Sequence, residues 1–249
     1  MIAGIPPVVT VFADRLHELL GRRLVGVYLG GSLVMGDFIE GSSDYDLLVV
    51  VSGDLSSADL GRLGALHDRL VDELPDAIRL EGDYVPREAL RPVGTSRPVP
   101  FFRQGRLQPE PESMLSADNI ANMRQDGISV VGPAPASVLP EVTAEQIREA
   151  VRQMLREIPE CPTELKAASE ILDLVRSYRA LETGAPATKS EGLRWGLVRL
   201  NAVLHPVLQR ADAVRRGASV ASDNRTLRDG IEEVRAALRD SSSEASSEQ

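Results

Sequence analysis

Two short apolar runs, separated by a segment with several glycines, limit what this chain can fold into. The first covers residues 25–29 and ends at Gly-Gly-Ser (30–32), and the second covers residues 47–51 and follows Ser-Asp-Tyr-Asp (43–46). Such runs, rich in valine and leucine, are typical of strands buried on both faces. The glycines and serine after the first run indicate a turn. The stretch therefore predicts two strands with a turn and a short helical segment between them.

Asp44 and Asp46 lie two residues apart where the second predicted strand begins. Because side chains alternate along a strand, both carboxylates leave the same face. Neighbouring carboxylates repel each other, and one pKa rises unless a cation lies between them. Oxygen ligands with no cysteine or histidine nearby favour Mg²⁺ over zinc. The pair therefore predicts a magnesium site.

The Gly-Gly-Ser turn offers the backbone N–H groups and the hydroxyl that a phosphate needs, with Gly31 and Ser32 at its centre. A phosphate site and metal-binding carboxylates on adjacent strands together predict chemistry on a nucleoside triphosphate. The alternative is a tight turn followed by a surface Ser-Asp pair that caps a helix.

A third carboxylate is expected from residues 77–85, which alternate like a strand. Glu81 and Asp83 share one face of it. A carboxylate beside the first two can act as general base towards an attacking hydroxyl or as a further metal ligand. From the residues alone, either Glu81 or Asp83 could be this third carboxylate. The alternative is an exposed edge strand with two surface carboxylates.

These residues resemble the signature of the nucleotidyltransferase superfamily, which includes DNA polymerase beta. The signature here consists of Gly31-Ser32, ten intervening residues and the segment 43–49. Within that superfamily the chain most resembles the aminoglycoside adenylyltransferases that modify streptomycin and spectinomycin. Residues 129–133 and 181–184, followed by Lys189 and Trp195, occur in the order of that family.

The resemblance implies a magnesium-dependent enzyme that moves AMP from ATP to a hydroxyl of a small molecule and releases pyrophosphate. An aminoglycoside-type antibiotic is the first expectation for the acceptor. Asp44 and Asp46 are expected to hold Mg²⁺. The family pattern assigns the third carboxylate to Glu81, with Asp83 as the alternative. The residues expected to bind the nucleotide are Gly31, Ser32, Ser43 and Lys189.

Several departures from the family leave the acceptor open. The relatives have a tryptophan that lines the antibiotic pocket, whereas the long segment 91–111 offers Phe101 and Phe102. A tryptophan and two aspartates that help to hold the drug are replaced by Glu157, Pro162 and Lys166. The alternatives are transfer to a protein hydroxyl, as in toxin–antitoxin-like modifiers, and a catalytically silent nucleotide-binding module.

The spacing of apolar residues indicates both strands and helices before about residue 133 and helices alone after it. Residues 1–135 are predicted to form an α/β nucleotidyltransferase domain, a small mixed sheet of about four or five strands flanked by helices. The proline-rich segment 134–140 is the expected linker. Residues 136–240 predict an all-α helical bundle. Residues 241–249, rich in serine and glutamate, predict a disordered tail. The active site is expected in the cleft between the two domains.

Composition narrows the possible partners. The net charge of −9 argues against broad binding of nucleic acid and suits a cationic small molecule. The single cysteine excludes a disulfide framework. The longest apolar stretches are too short to span a membrane, and the first residues do not resemble a signal peptide, so a cytoplasmic protein is expected. The sequence favours neither a monomer nor a dimer.

Overall fold

The computed structural model divides the chain into two compact units. The first is Met1–Phe38 with Ser43–Val142, and the second is Ile39–Ser42 with Thr143–Gln249. The residues that the structure describes are 4–91, 93, 98–110, 116–156, 163–219 and 226–247, with side chains up to residue 239.

The first unit is built on one mixed sheet. Its strands are β1 (Leu24–Leu29), β2 (Tyr45–Val51), β3 (Leu80–Pro86), β4 (Phe101–Arg103), β5 (Arg106–Leu107) and β6 (Ile128–Val131). The strand order is β5-β4-β3-β2-β1-β6. Strands β2 and β3 are parallel, and every other neighbouring pair is antiparallel. The predicted α/β mixed sheet is confirmed, with six strands where about four or five were expected.

Helices cover both faces of this sheet. They are α1 (Pro7–Leu20), α2 (Gly31–Val34), α3 (Ser57–Glu73), α4 (Ala117–Asp126) and α5 (Pro135–Val138). Because strand side chains alternate, each face has a core of its own. One core joins α1 and α3 to the strands through Phe12, Leu16, Leu29, Leu47, Leu63 and Leu70. The other joins α4 and α5 to the opposite face through Tyr28, Leu48, Val50, Ile120, Met123 and Val138.

Helix α3 begins with a capping box formed by Ser56 and Asp59. The Ser56 hydroxyl accepts the N–H of Asp59, and the Asp59 carboxylate accepts the N–H of Ser56 at 2.9 Å. This reciprocal pair satisfies two donors that the first helical turn leaves unpaired. Asp59 is buried and also accepts from Arg23, which precedes β1, at 2.7 Å. The cap therefore also ties α3 to the start of β1.

The long segment 91–111 contains the short hairpin β4–β5. Gln104 and Gly105 form its turn with φ angles of 51° and 69°. Phe101 and Phe102 are both buried, and Phe102 belongs to the core that faces α1 and α3. These two rings therefore pack inside the protein.

The second unit is a helical bundle, as predicted. Its helices are α6 (Ala144–Met154), α7 (Glu164–Thr183), α8 (Lys189–Arg199), α9 (His205–Arg215) and α10 (Leu227–Ser247). Residues of α7, α9 and α10 dominate its core, including Ile171, Val175, Leu208, Ala211, Leu227 and Val234. A capping box of Thr143 and Gln146 begins α6. Gly184 ends α7 in the left-handed conformation, with φ of 67°, as the sequence indicates.

The boundaries of the units and helices differ from the sequence pattern in three places. The predicted linker contains α5, and Val138 and Leu139 are buried in the core of the first unit, which continues to Val142. Strand β3 begins at Leu80 because the 3₁₀ turn Pro75–Arg79 occupies the residues before it. Helix α10 continues to Ser247, into the stretch predicted as a disordered tail, since neither glycine nor proline follows Gly230.

Within the described part of the chain, no helix has the length and apolar character needed to cross a membrane.

Candidate active site

The first unit brings three acidic side chains together at the start of β2 and β3. Asp46 is the second residue of β2, and parallel pairing places it directly beside Glu81 of β3. Tyr45 and Leu47 belong to the core that faces α1 and α3, so Asp46 leaves the opposite face. Asp44 is exposed just before β2, and its charge acts on the Glu81 carboxyl. Glu81 therefore has Asp46 as its neighbour in the sheet and Asp44 within electrostatic range.

Glu81 and Asp83 share a face of β3 but have different surroundings. Asp83 pairs with Leu48, one step further into the sheet, and is only 6% exposed. Glu81 is half-buried next to Asp46. The structure therefore places Glu81 beside the aspartate pair and Asp83 inside the core layer.

The surroundings of Glu81 favour its protonated form. Burial, the largest cause, raises the pKa of Glu81, and the charge of Asp44 raises it further. The Arg103 guanidinium acts in the opposite direction without cancelling these effects. A carboxyl group whose pKa is raised is a stronger base than an ordinary glutamate.

Arg103, which the sequence did not single out, contacts this carboxylate. It lies at the end of β4, and its Nε donates to Glu81 Oε1 at 3.1 Å. Its guanidinium also lies over the ring of Phe101, 5.6 Å from the centroid. Arg103 follows Glu81 by 22 positions, so only the pairing of β3 with β4 brings the two together.

The glycine turn after β1 packs directly against Asp46. Gly31 has φ of 62°, and a Cβ atom on it would overlap the Asp46 carboxylate. The N–H of Gly30 donates to the backbone carbonyl of Asp46 at 2.8 Å. Ser32 is the second residue of the one-turn helix α2 and is half-buried. The predicted phosphate-binding turn and the predicted metal-binding carboxylate are therefore in contact, and this contact requires glycine at position 31.

Arg79 holds the backbone of the Ser-Asp-Tyr-Asp segment from the other side. Its Nε and Nη2 donate to the carbonyl of Ser43 at 2.9 and 2.7 Å. Its guanidinium carbon lies 5.0 Å from the ring centroid of Phe38 and 4.5 Å from that of Tyr45. Two donors and two rings fix this arginine, and through it the position of Ser43, immediately before Asp44.

Lys189 lies in the second unit, at the start of α8. Thr188 caps this helix through a capping box with Glu191. Lys189 Nζ donates to Ser169 Oγ at 2.6 Å and pairs with Asp173 Oδ2 at 3.2 Å. Burial raises the pKa of Asp173, but the charges of Arg176 and Lys189 outweigh it and leave this pKa below its ordinary value. Lys189 is therefore held by α7, and its contact with a nucleotide stays a prediction.

Asp44 and Asp46 provide the oxygen ligands that a magnesium ion prefers, but two carboxylates do not fill its coordination sphere. Among the residues that the structure describes, no group of three or more histidine, cysteine, aspartate or glutamate side chains is arranged to hold a metal. Mg²⁺ is usually held by one or two carboxylates together with substrate phosphates and water. Asp46, which is half-buried, and Asp44, which is exposed, lie near the predicted phosphate-binding turn and meet that description.

Two protein-family models match the chain, one in each unit. The first is described as "Nucleotidyltransferase domain" and matches residues 10–97. The second is described as "Aminoglycoside adenylyltransferase, C-terminal domain" and matches residues 137–242. The chain therefore carries a nucleotidyltransferase domain followed by the C-terminal domain of aminoglycoside adenylyltransferases.

Individual relatives agree with this assignment. The spectinomycin 9-adenylyltransferases of Staphylococcus aureus strains Mu50 and N315 are each 27% identical to the chain over 204 residues, which cover 73% of the chain and 74% of the relative. A spectinomycin adenyltransferase, AAD(9), from Enterococcus faecialis, whose structure was solved with ATP and spectinomycin, has the same fold. It aligns with a TM-score of 0.72 and 17% identity, covering 92% of this chain and 98% of the other.

The two domain matches and the relatives confirm the resemblance and the prediction of a nucleotidyltransferase enzyme. Two positions that bear on the acceptor, Glu157 and Pro162, lie outside the described residues. Lys166 is exposed in the first turn of α7. Trp195 is half-buried against the helical core, and its indole N–H donates to Glu182 at 2.6 Å.

Proposed function

We propose that this enzyme transfers AMP from ATP to a hydroxyl group of an aminoglycoside-type antibiotic and releases pyrophosphate. The observation that carries the proposal is the side-by-side pairing of Asp46 and Glu81 against the Gly31 turn, in a chain that carries the C-terminal domain of aminoglycoside adenylyltransferases. In this arrangement the turn would bind phosphate, Asp46 would bind the metal and Glu81 would act as the base. Nucleotidyl transfer uses all three.

Asp44 and Asp46 would hold Mg²⁺ next to the turn. When bound, the ion would neutralise charge on the triphosphate and orient it. The backbone and hydroxyl groups of Ser32 and Ser43 would bind the phosphates. Gly31 would shape the turn, because its own N–H donates to Asn122 Oδ1. Lys189 of the second unit would be an additional cation. Arg79, through its two bonds to the Ser43 carbonyl, keeps this part of the chain in place before the nucleotide arrives.

Glu81 is the proposed general base. It accepts the proton of the acceptor hydroxyl as that oxygen attacks the α-phosphorus of ATP. The new oxygen–phosphorus bond forms while the bond to the bridging oxygen of pyrophosphate breaks, and pyrophosphate leaves with the electron pair. The raised pKa of Glu81 makes it a better proton acceptor, and Arg103 keeps its carboxylate in position.

Spectinomycin is the first acceptor to test, because the relatives that align with 73% of the chain are named for it. The net charge of −9 suits a cationic acceptor. ATP as the donor is consistent with a cytoplasmic site of action.

The test is an assay with ATP labelled at the α-phosphate, Mg²⁺ and a panel of spectinomycin, streptomycin and other aminoglycosides. The expected result is label on one antibiotic together with pyrophosphate, and loss of both in Asp46→Asn. Glu88→Gln is the matched control, since Glu88 is an exposed acid that follows β3. A cell extract is included as acceptor. Label on protein bands, with none on any antibiotic, would replace the small-molecule proposal by the protein-modifying alternative.

A further inference from the structure

Asn122 of helix α4 reaches the glycine turn from a distant part of the sequence. Its side-chain Oδ1 accepts the backbone N–H of Gly31 at 3.3 Å, across a separation of 91 positions. The side chain is inside the protein, since Asn122 is only 7% exposed. The next residue, Met123, packs against Gly30, where a Cβ atom would lie 2.6 Å from the Met123 sulfur. Helix α4 therefore contacts both glycines of the turn.

The other half of the Asn122 amide is a buried donor without an acceptor. Within the described residues, Asn122 Nδ2 has no hydrogen-bond partner. Exchanging the two amide atoms would not remove the problem, because Gly31 presents an N–H and only Oδ1 can accept it. Leaving a buried donor unpaired typically costs about 1–3 kcal/mol. Such a group in a folded protein calls for an explanation, and a bound ligand is one of them.

We infer that Asn122 is a nucleotide-binding residue whose Nδ2 donates to a triphosphate oxygen of bound ATP. The inference rests on the proposed function, because it takes the Gly31 turn as the phosphate site. Both amide atoms are attached to one carbon, so Nδ2 lies beside the turn that Oδ1 contacts. Phosphate oxygens only accept hydrogen bonds, which matches a group that can only donate.

The same contact gives Asn122 a second effect on the site. Its Oδ1 occupies the N–H of Gly31, so that the turn keeps one conformation. This conformation is the one in which Gly31 packs against the Asp46 carboxylate. Asn122 therefore binds the phosphate on one side of its amide and positions the turn with the other.

The main test compares Asn122→Leu with the wild-type enzyme. Leucine has a similar size and no donor, so the affinity for MgATP and for inorganic tripolyphosphate should fall about tenfold to a hundredfold. Affinity for AMP, which lacks the β and γ phosphates, should fall much less. Asn119→Leu is the matched control, because Asn119 is exposed on the same helix. Dissociation constants come from calorimetry, and melting temperatures report folding.

Equal affinity of Asn122→Leu and wild type for MgATP would overturn the inference and leave a buried water as the partner of Nδ2. If the leucine variant does not fold, Asn122→Asp serves instead. Aspartate keeps an acceptor for Gly31 and replaces the donor by a negative oxygen, so a larger loss of affinity is expected, and unchanged affinity would again contradict the inference. Failure of the wild-type protein itself to bind MgATP would instead contradict the proposed function. The experiment therefore distinguishes failure of the inference from failure of the proposed function.

Discussion

Position 31 shows how one missing side chain shapes the site. Gly31 has a φ angle that side chains disfavour, and the space of its Cβ is filled by the Asp46 carboxylate. Gly36, five residues later, has φ of 73° but nothing within 4 Å of the same position. The two glycines therefore share a backbone conformation and differ only in their neighbours.

Gly31→Ala should lower the transfer rate by at least about a hundredfold, because the new methyl group displaces the Asp46 carboxylate by more than the distance that catalysis tolerates. Gly36→Ala is the control. Both variants should lose about 1 kcal/mol of stability from the left-handed conformation, but Gly36→Ala should keep its activity. The measurements are kcat and the free energy of unfolding. Equal activities of the two variants would show that the contact with Asp46 has no catalytic role.

The two acids of β3 are expected to separate function from structure. Glu81→Gln should reduce kcat on the order of 10²–10⁴-fold with little change in ATP affinity, because it removes a proton acceptor and leaves the phosphate site intact. Asp83→Asn should mainly change the melting temperature, since Asp83 is buried beside Leu48. Steady-state kinetics and ATP binding on both variants decide. If Asp83→Asn lost more kcat than Glu81→Gln, Asp83 would be the general base and Glu81 the structural residue.

At the scale of the elements, His67 joins α3 to β3 and to the β4–β5 hairpin. It is fully buried among Phe12, Tyr84 and Phe102. Its Nε2 lies 2.7 Å from the Tyr84 hydroxyl, and its Nδ1 lies 2.9 Å from the Gly105 carbonyl. A carbonyl can only accept, so Nδ1 carries the proton and Nε2 accepts from the tyrosine. This arrangement uses the neutral imidazole.

Stability should therefore fall on acidification. Burial lowers the pKa of His67 from 6.5 to about 4. As the pH falls below 6.5, the unfolded chain binds a proton that the folded protein does not bind until about pH 4. The contribution of His67 is complete above pH 6.5 and is lost between these values, up to about 3 kcal/mol. Calorimetric unfolding at pH 7.5 and pH 4.5 measures it, for wild type and His67→Phe.

His67→Phe should be less stable than wild type at neutral pH, because two hydrogen bonds are lost, and should lose less on acidification, because the titrating group is gone. An identical acid sensitivity in both proteins would assign the effect to other groups.

The local spacing of residues in the sequence predicted most of the helices and strands and the acidic residues of the candidate site. It failed for contacts between segments that are far apart in the sequence. The spacing of Asp44 and Asp46 and the alternation around Glu81 are visible within a few residues. The hairpin β4–β5 was missed because its strands are three and two residues long, too short for a period to show. Arg79, Arg103 and Asn122 were missed because their partners lie 36, 22 and 91 positions away and are fixed by sheet order and helix packing.

At the scale of the whole molecule, Lys189 is the residue of the second unit that we propose to contact the triphosphate. Lys189→Met should raise the dissociation constant for MgATP about tenfold or more, because a cation near the triphosphate is lost. Arg199→Met at the other end of α8 is the control, since Arg199 pairs only with the exposed surface acid Glu182 among the contacts described for it. Binding is measured by calorimetry. Unchanged affinity in Lys189→Met would confine the nucleotide to the first unit.

The parallel pairing of β2 with β3 affects how the enzyme folds. Two parallel neighbours cannot be joined by a tight hairpin, so the chain travels back along the sheet through α3 before β3 begins. Asp46 and Glu81 meet only after that crossover has docked, and such non-local contacts form slowly. The newly synthesised protein is thus inactive until α3 is in place, and a substitution that loosens α3 will delay the onset of activity even where it touches no reacting group.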